Sequence, residues 1–145
     1  MSDSARILIA VAPYYKHITD PMIEGARRAL DKEGWEHELV EVAGAFELPF
    51  AVATAYEAGG YDGYIVLGCV IRGETSHYDL ICNETARACQ NLATDGGLVL
   101  GFGLLTVENE AQALVRADPN GKDKGGEAAK ACIMNLKLAR RFLES

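Results

Sequence analysis

The chain has 145 residues, of which 49% are hydrophobic and 24% charged, and its formal net charge is −7. That length predicts one domain, 1–145, able to bury roughly 70% of the surface its unfolded form exposes. The acidic balance argues against nucleic acid or an anionic membrane surface as the main partner, while leaving room for a local basic pocket. No apolar run approaches the roughly 18 residues of a membrane-spanning helix. Met1-Ser2-Asp3-Ser4-Ala5-Arg6 lacks the basic, then apolar, pattern of an export signal. The expectation is a cytoplasmic protein with residues 1–5 as a flexible tail.

Ile7-Leu8-Ile9-Ala10-Val11-Ala12 is apolar without alternation, the pattern of a strand covered on both faces. Pro13-Tyr14-Tyr15-Lys16-His17 reads as the loop after it. Asp20-Pro21 predicts a helix start, a capping carboxylate followed by proline at the first helical position. Ile23, Ala26 and Leu30 supply that helix's apolar stripe, and Gly34 its left-handed end. Trp35 to Val42 is a more polar strand, expected near the sheet edge. The turn at 43–47 leads into a helix over 48–58, with Pro49 tolerated in its first turn.

Tyr64-Ile65-Val66-Leu67-Gly68-Cys69-Val70-Ile71 is the strongest buried-strand run. A polar loop with Gly73, Glu74, Thr75, Ser76 and His77 follows, and helical spacing over 78–94 uses Ile81, Thr85, Ala88 and Leu92. Leu98 to Leu105 predicts a fourth buried strand, 108–117 a short helix and 126–142 a final one. Four strands alternating with helices imply an α/β fold, a four-stranded parallel sheet with helices on both faces.

The four cysteines, Cys69, Cys82, Cys89 and Cys132, match no zinc spacing and are expected to be free thiols. Gly101-Phe102-Gly103 lacks the strand-to-helix context of a dinucleotide loop, and no phosphate-loop or nucleophile-elbow motif is present.

In a parallel sheet the loops after the strands meet at one edge, where ligands bind. There they would bring together Tyr14 and Tyr15, the turn of Ala45, Phe46 and Glu47, residues 73–77, and 106–109. Aromatic faces, a carboxylate, a helix start and a histidine suit a flat polar molecule beside a phosphate. His77 is the candidate proton carrier, since a histidine of ordinary pKa can both take and give a proton near neutral pH. The alternative for His77 is a surface residue at a helix start. Glu47 could hydrogen-bond ligand hydroxyls or merely favour the positive end of its helix. Arg116 and Lys124 could hold a phosphate, but composition alone favours ordinary solvated charges. His17 and His37 read as surface residues.

The stretches Gly44-Ala45-Phe46-Glu47-Leu48-Pro49, Gly68-Cys69-Val70-Ile71-Arg72-Gly73-Glu74-Thr75-Ser76-His77-Tyr78-Asp79, Cys82-Asn83-Glu84, Phe102 to Asn109 and Lys124-Gly125 occur in that order. Together they make the chain resemble the 6,7-dimethyl-8-ribityllumazine synthases from Ile7 to Phe142. The resemblance implies a flavodoxin-like three-layer sandwich and the penultimate step of riboflavin synthesis. In that step 5-amino-6-ribitylamino-pyrimidinedione condenses with 3,4-dihydroxy-2-butanone 4-phosphate, with no metal or organic cofactor.

The resemblance also assigns roles. Tyr14 would stack on the pyrimidinedione, Ala45, Phe46 and Glu47 would hold the ribityl chain, and Val70 and Ile71 would meet the ring edge. Gly73, Glu74 and Thr75 would cradle the phosphate, and His77 would shuttle protons. Phe102 and Arg116 would come from a neighbouring subunit, Arg116 binding phosphate with Lys124 close by. Implied partners are the two small-molecule substrates, further copies of the chain, and riboflavin synthase as the next enzyme. The copies would form a pentamer, with a decamer or a 60-subunit shell as larger options, which the short loop from Asp118 to Asp123 permits. A catalytically silent lumazine- or flavin-binding or shell-forming paralogue is the alternative, as is an unrelated flavodoxin-like phosphate-binding module. Tyr15, Ala43 and Asp123 depart from the family's usual Asn, Pro and Asn.

Overall fold

The computed structural model describes residues 3–144. Among them, β1 (Arg6–Val11), α1 (Lys16–Glu33), β2 (Glu36–Glu41), α2 (Leu48–Ala58), β3 (Gly63–Ile71), α3 (His77–Thr94), β4 (Leu100–Val107), α4 (Glu110–Ala117) and α5 (Lys124–Leu143) follow one another. A 3-10 turn, Ala45–Glu47, precedes α2. The strands pair in parallel in the order β2-β1-β3-β4. Helices cover both faces, giving the expected flavodoxin-like three-layer sandwich.

Side chains alternate across a strand, so one apolar run feeds two cores. Ile7, Ile9 and Val11 of β1 join Ile65, Leu67 and Cys69 of β3 against α1, α4 and α5. Leu8, Ala10 and Ala12 join Tyr64 and Val66 against α2 and α3. Fully burying a side chain such as Ile7 or Leu67 contributes about 1.5–3 kcal/mol, which is why the two central strands carry the longest apolar runs. β2 sits at one edge, as its polarity implies.

β4 occupies the other edge, and here the expectation of a strand buried on both faces over 98–105 is corrected. The strand runs Leu100–Val107, and Phe102 and Thr106 on one face are exposed. On its opposite face Gly101 and Gly103 admit α5. A Cβ on Gly101 would lie 2.0 Å from the Ala128 carbonyl oxygen, and one on Gly103 2.9 Å from the Ala128 Cβ. The two glycines therefore serve close helix–strand packing.

The helix start at Asp20-Pro21 is also corrected. α1 begins at Lys16, and the Tyr15 carbonyl accepts from the backbone N–H groups of Ile18 and Thr19. Burial of Ile18 and Met22 extends the apolar stripe across Pro21. The proline forfeits only the bond its N–H would have made to the His17 carbonyl one turn back. α5 begins at Lys124 rather than Gly126. Asp123 adopts a left-handed conformation (φ 47°), and its carboxylate accepts from the Gly126 N–H at 3.1 Å. That carboxylate also complements the positive end of α5.

α3 differs from expectation in depth. Of its predicted stripe only Thr85 is buried, while Ile81, Ala88 and Leu92 are half-exposed and Cys89 supplies the other buried contact. All four cysteines are free, with Cys82 half-buried and the others buried. Of the predicted tail, Met1 and Ser2 lie outside the described residues. Within the rest of it Ala5 is buried, and the Trp35 indole N–H donates to the Asp3 carbonyl at 2.6 Å. No helix among the described residues is long and apolar enough to cross a membrane.

Candidate active site

The sheet delivers three loops to one cavity of about 550 Å³ at the carboxyl ends of β1 and β3. The loop after β1 brings Tyr14, 77% exposed, with its ring edge-on to Tyr15 at 4.8 Å. The loop after β2 brings Gly44 and the 3-10 turn with Ala45, Phe46 and Glu47. That turn is closed by the Glu47 N–H donating to the Gly44 carbonyl at 3.1 Å. The buried Thr85 hydroxyl of α3 also reaches the Ala45 carbonyl, at 3.5 Å. The end of β3 brings Cys69, Val70 and Ile71, and α3 brings His77 and Ile81.

His77 opens α3, and its backbone N–H donates to the Thr75 hydroxyl at 3.3 Å, fixing the turn before it. Ser76 makes no side-chain cap. By helix geometry the first-turn N–H groups have no carbonyl of their own helix to bond, which makes this a favourable place for an anion. Gly73, Glu74 and Thr75 are exposed and do not line the cavity itself, though they lie just before His77 in the chain.

Burial pushes the Cys69 thiol up to about 11, with a smaller push from Cys82, so it stands in the wall as a neutral, poorly nucleophilic group. Tyr15 is also raised, by burial first and then by Tyr14, Cys69 and Glu110, and stays a neutral phenol.

A second cavity, of about 330 Å³, runs along β4 and holds Phe102, Arg116 and Lys124. The two cavities share no lining residue. Asn109 caps α4 by accepting from the Gln112 N–H at 2.9 Å. Arg116 lies in the last turn of α4, where its guanidinium donates to the Gln112 carbonyl at 3.0 Å. Lys124 opens α5 and pairs with Glu127 at 2.9 Å.

Within one protomer, then, Tyr14, Ala45, Phe46, Glu47, Val70, Ile71 and His77 come together, whereas Phe102, Arg116 and Lys124 form a separate group. Sequence reasoning missed Cys69 and Ile81 as wall residues. Their signal was place alone, the last turn of a buried strand and the first turns of the next helix. Glu127 and Ala131 of the second cavity gave none.

A family model described as 6,7-dimethyl-8-ribityllumazine synthase matches residues 4–140. The chain belongs to the 6,7-dimethyl-8-ribityllumazine synthase family. It is 52% identical to the protein of that name from Sphingopyxis alaskensis, over 95% of this chain and 97% of the relative. It is 53% identical to the one from Erythrobacter litoralis, over 95% and 98%. It is 51% identical to the one from Novosphingobium aromaticivorans, over 95% and 99%.

The family match spans both cavities, from Tyr14 to Lys124. Of the three positions expected to depart from the family pattern, Asp123 caps α5 as described, Tyr15 packs half-buried against the core, and Ala43 is exposed.

Proposed function

We propose that this lumazine synthase family member condenses 5-amino-6-ribitylamino-pyrimidinedione with 3,4-dihydroxy-2-butanone 4-phosphate, releasing phosphate and water. The observation that carries the reading is the grouping of Tyr14, Phe46, Glu47 and His77 around one cavity, in a chain matched to the family over residues 4–140. Tyr14 offers a face for the pyrimidinedione, and Ala45, Phe46 and Glu47 offer carbonyl, apolar and carboxylate contacts for the ribityl chain. Val70 and Ile71 bound the ring edge.

The 5-amino group attacks the ketone and an imine forms with loss of water. Phosphate then leaves by elimination, and the ribitylamino nitrogen closes the ring with loss of a second water. Each step moves a proton, and the His77 imidazole takes and returns it. Negative charge grows on the departing phosphate. The N–H groups at the start of α3, the turn of Gly73, Glu74 and Thr75, and the Arg116 guanidinium stabilise it. Holding two substrates together removes much of the barrier to a bimolecular condensation.

Arg116 and Phe102 belong to the cavity on β4, so the complete site forms where that cavity of one copy meets the histidine cavity of the next. A head-to-tail contact makes a ring where its rotation closes, and the ring in this reading is a pentamer acting in the cytoplasm. Both purified protein and the two substrates suffice for the test. Lumazine absorbance and phosphate should appear together, well above the uncatalysed rate. Absence of turnover overturns the reading, and tight lumazine binding without turnover would make the protein a silent binder.

A further inference from the structure

Arg72 lies between β3 and the turn of Gly73, Glu74 and Thr75, and the chemistry above gives it no role. Its contacts reach three other parts of the chain. Its backbone N–H donates to the Val107 carbonyl at 2.9 Å, extending the β3–β4 ladder past the end of β3. Its Nε donates to Glu108, in the connection from β4 to α4, at 3.0 Å. Its two terminal nitrogens reach the two carboxylate oxygens of Asp79, in the first turn of α3, at 3.4 and 3.5 Å. Its guanidinium carbon lies over the Tyr78 ring, 4.2 Å from the ring centre. Glu108 is itself held, since its N–H donates to the Gln112 side-chain oxygen at 2.8 Å.

We propose that Arg72 is a positioning residue that clamps the Gly73–His77 turn between the start of α3 and the β4–α4 connection. The proposal rests on the functional reading above, in which that turn meets the butanone phosphate. Every nitrogen of the guanidinium side chain is directed at a carboxylate, and its central carbon lies over a ring. It therefore acts on the anion through the turn and not by direct contact. Lysine cannot replace it, because one ammonium cannot serve Glu108 and Asp79 at fixed, divergent angles. Arg72 is 41% exposed, and single exposed ion pairs add little to stability. Its effect thus falls on the geometry of the turn, where a small misplacement is amplified in the rate.

Steady-state kinetics on the assembled full chain tests this. Arg72→Gln should raise the KM for the butanone phosphate about tenfold while the KM for the pyrimidinedione stays within about twofold. The melting midpoint should move by no more than about 2 °C. Glu108→Gln should give part of the same effect, Arg72→Lys should recover little, and the double variant Arg72→Gln/Glu108→Gln should be no worse than Arg72→Gln alone. Equal rises in both KM values, or none in either, overturn the clamp. Multiplying losses in the double variant overturn it too, by making Arg72 a direct phosphate ligand. Amide hydrogen exchange over residues 73–77 should quicken in Arg72→Gln whether or not the wild-type protein makes lumazine. Unchanged exchange overturns the clamp, whereas faster exchange with an inactive wild type overturns only the functional reading.

Discussion

The cavity at the ends of β1 and β3 is walled by two tyrosines, Phe46, Glu47 and His77, and among the described residues no lysine or arginine lines it. The cavity along β4 holds Arg116 and Lys124, and among the described residues no histidine lines it. The first can stack a flat ring and move protons; the second can hold an anion. Neither contains the chemistry of the other. The difference teaches that one protomer carries two unlike cavities on one sheet, at the carboxyl end of β3 and along the edge strand β4; on the function proposed above they are complementary half-sites.

The strongest way to break this comparison is to disable each half separately. His77→Ala and Arg116→Ala should each slow the reaction about a hundredfold, near 2.7 kcal/mol of transition-state stabilisation. Arg116→Ala should act mainly through the butanone phosphate. Mixing the two variants after dissociation and reassembly should then restore activity. If the halves come from neighbouring chains, about a quarter of the sites in a random one-to-one mixture carry both intact groups. A mixture no more active than its components would mean that each chain supplies a whole site, and the comparison would fall.

How much of this was legible in the sequence follows the same division. The histidine cavity is built from residues a few positions past the end of a strand, so apolar runs and loop order were enough to gather Tyr14, Glu47 and His77. The cavity on β4 depends on tertiary packing. Leu98 to Leu105 looks like a strand buried on both faces because apolar residues alone do not tell a central strand from an edge. Phe102 lies exposed on the edge strand β4, on the face opposite the one that α5 covers at Gly101 and Gly103. Arg116 and Lys124 are separated by a loop, and only the packing of α4 and α5 brings them together; the family resemblance named them where spacing could not. Asp20-Pro21 misled because a cap-and-proline pair outweighed an apolar stripe that in fact begins at Ile18.

The two regions should also differ in how they tolerate a single added methyl. A Cβ at Gly101 would stand 2.0 Å from the Ala128 carbonyl, a backbone atom that cannot swing aside. Gly101→Ala should therefore destabilise the protein by about 1–3 kcal/mol by pushing α5 from β4. Gly73 has nothing within 4 Å of the same added atom, so Gly73→Ala should change stability by less than about 0.5 kcal/mol. Urea unfolding of the pair measures both, and equal midpoints would show that the β4–α5 contact is softer than its geometry implies.

The smallest expected effect uses the cysteines as probes of how dry each layer is. Burial pushes Cys132, on the face of α5 that packs on β3 and β4, up to about 12, and Cys69 and Cys89 up to about 11, from an ordinary 9.0. In each case the folded state keeps a proton that the unfolded chain releases, so the native form binds more protons once pH passes about 9. Stability from this source is fully present below that pH. It declines as pH rises towards 11 for Cys69 and Cys89 and towards 12 for Cys132. Urea midpoints should accordingly fall between pH 9 and 12, and Cys132→Ala should flatten the upper part of that decline more than Cys89→Ala does. Alkylation should proceed in the order of access, Cys82 before Cys69 and Cys132 last, because the half-buried thiol ionises where water still reaches it. If Cys132 reacted as readily as Cys69, the layer between β4 and α5 would be no better sealed than the wall of the open cavity. The close packing at Gly101 would then not be what holds the second half-site in place.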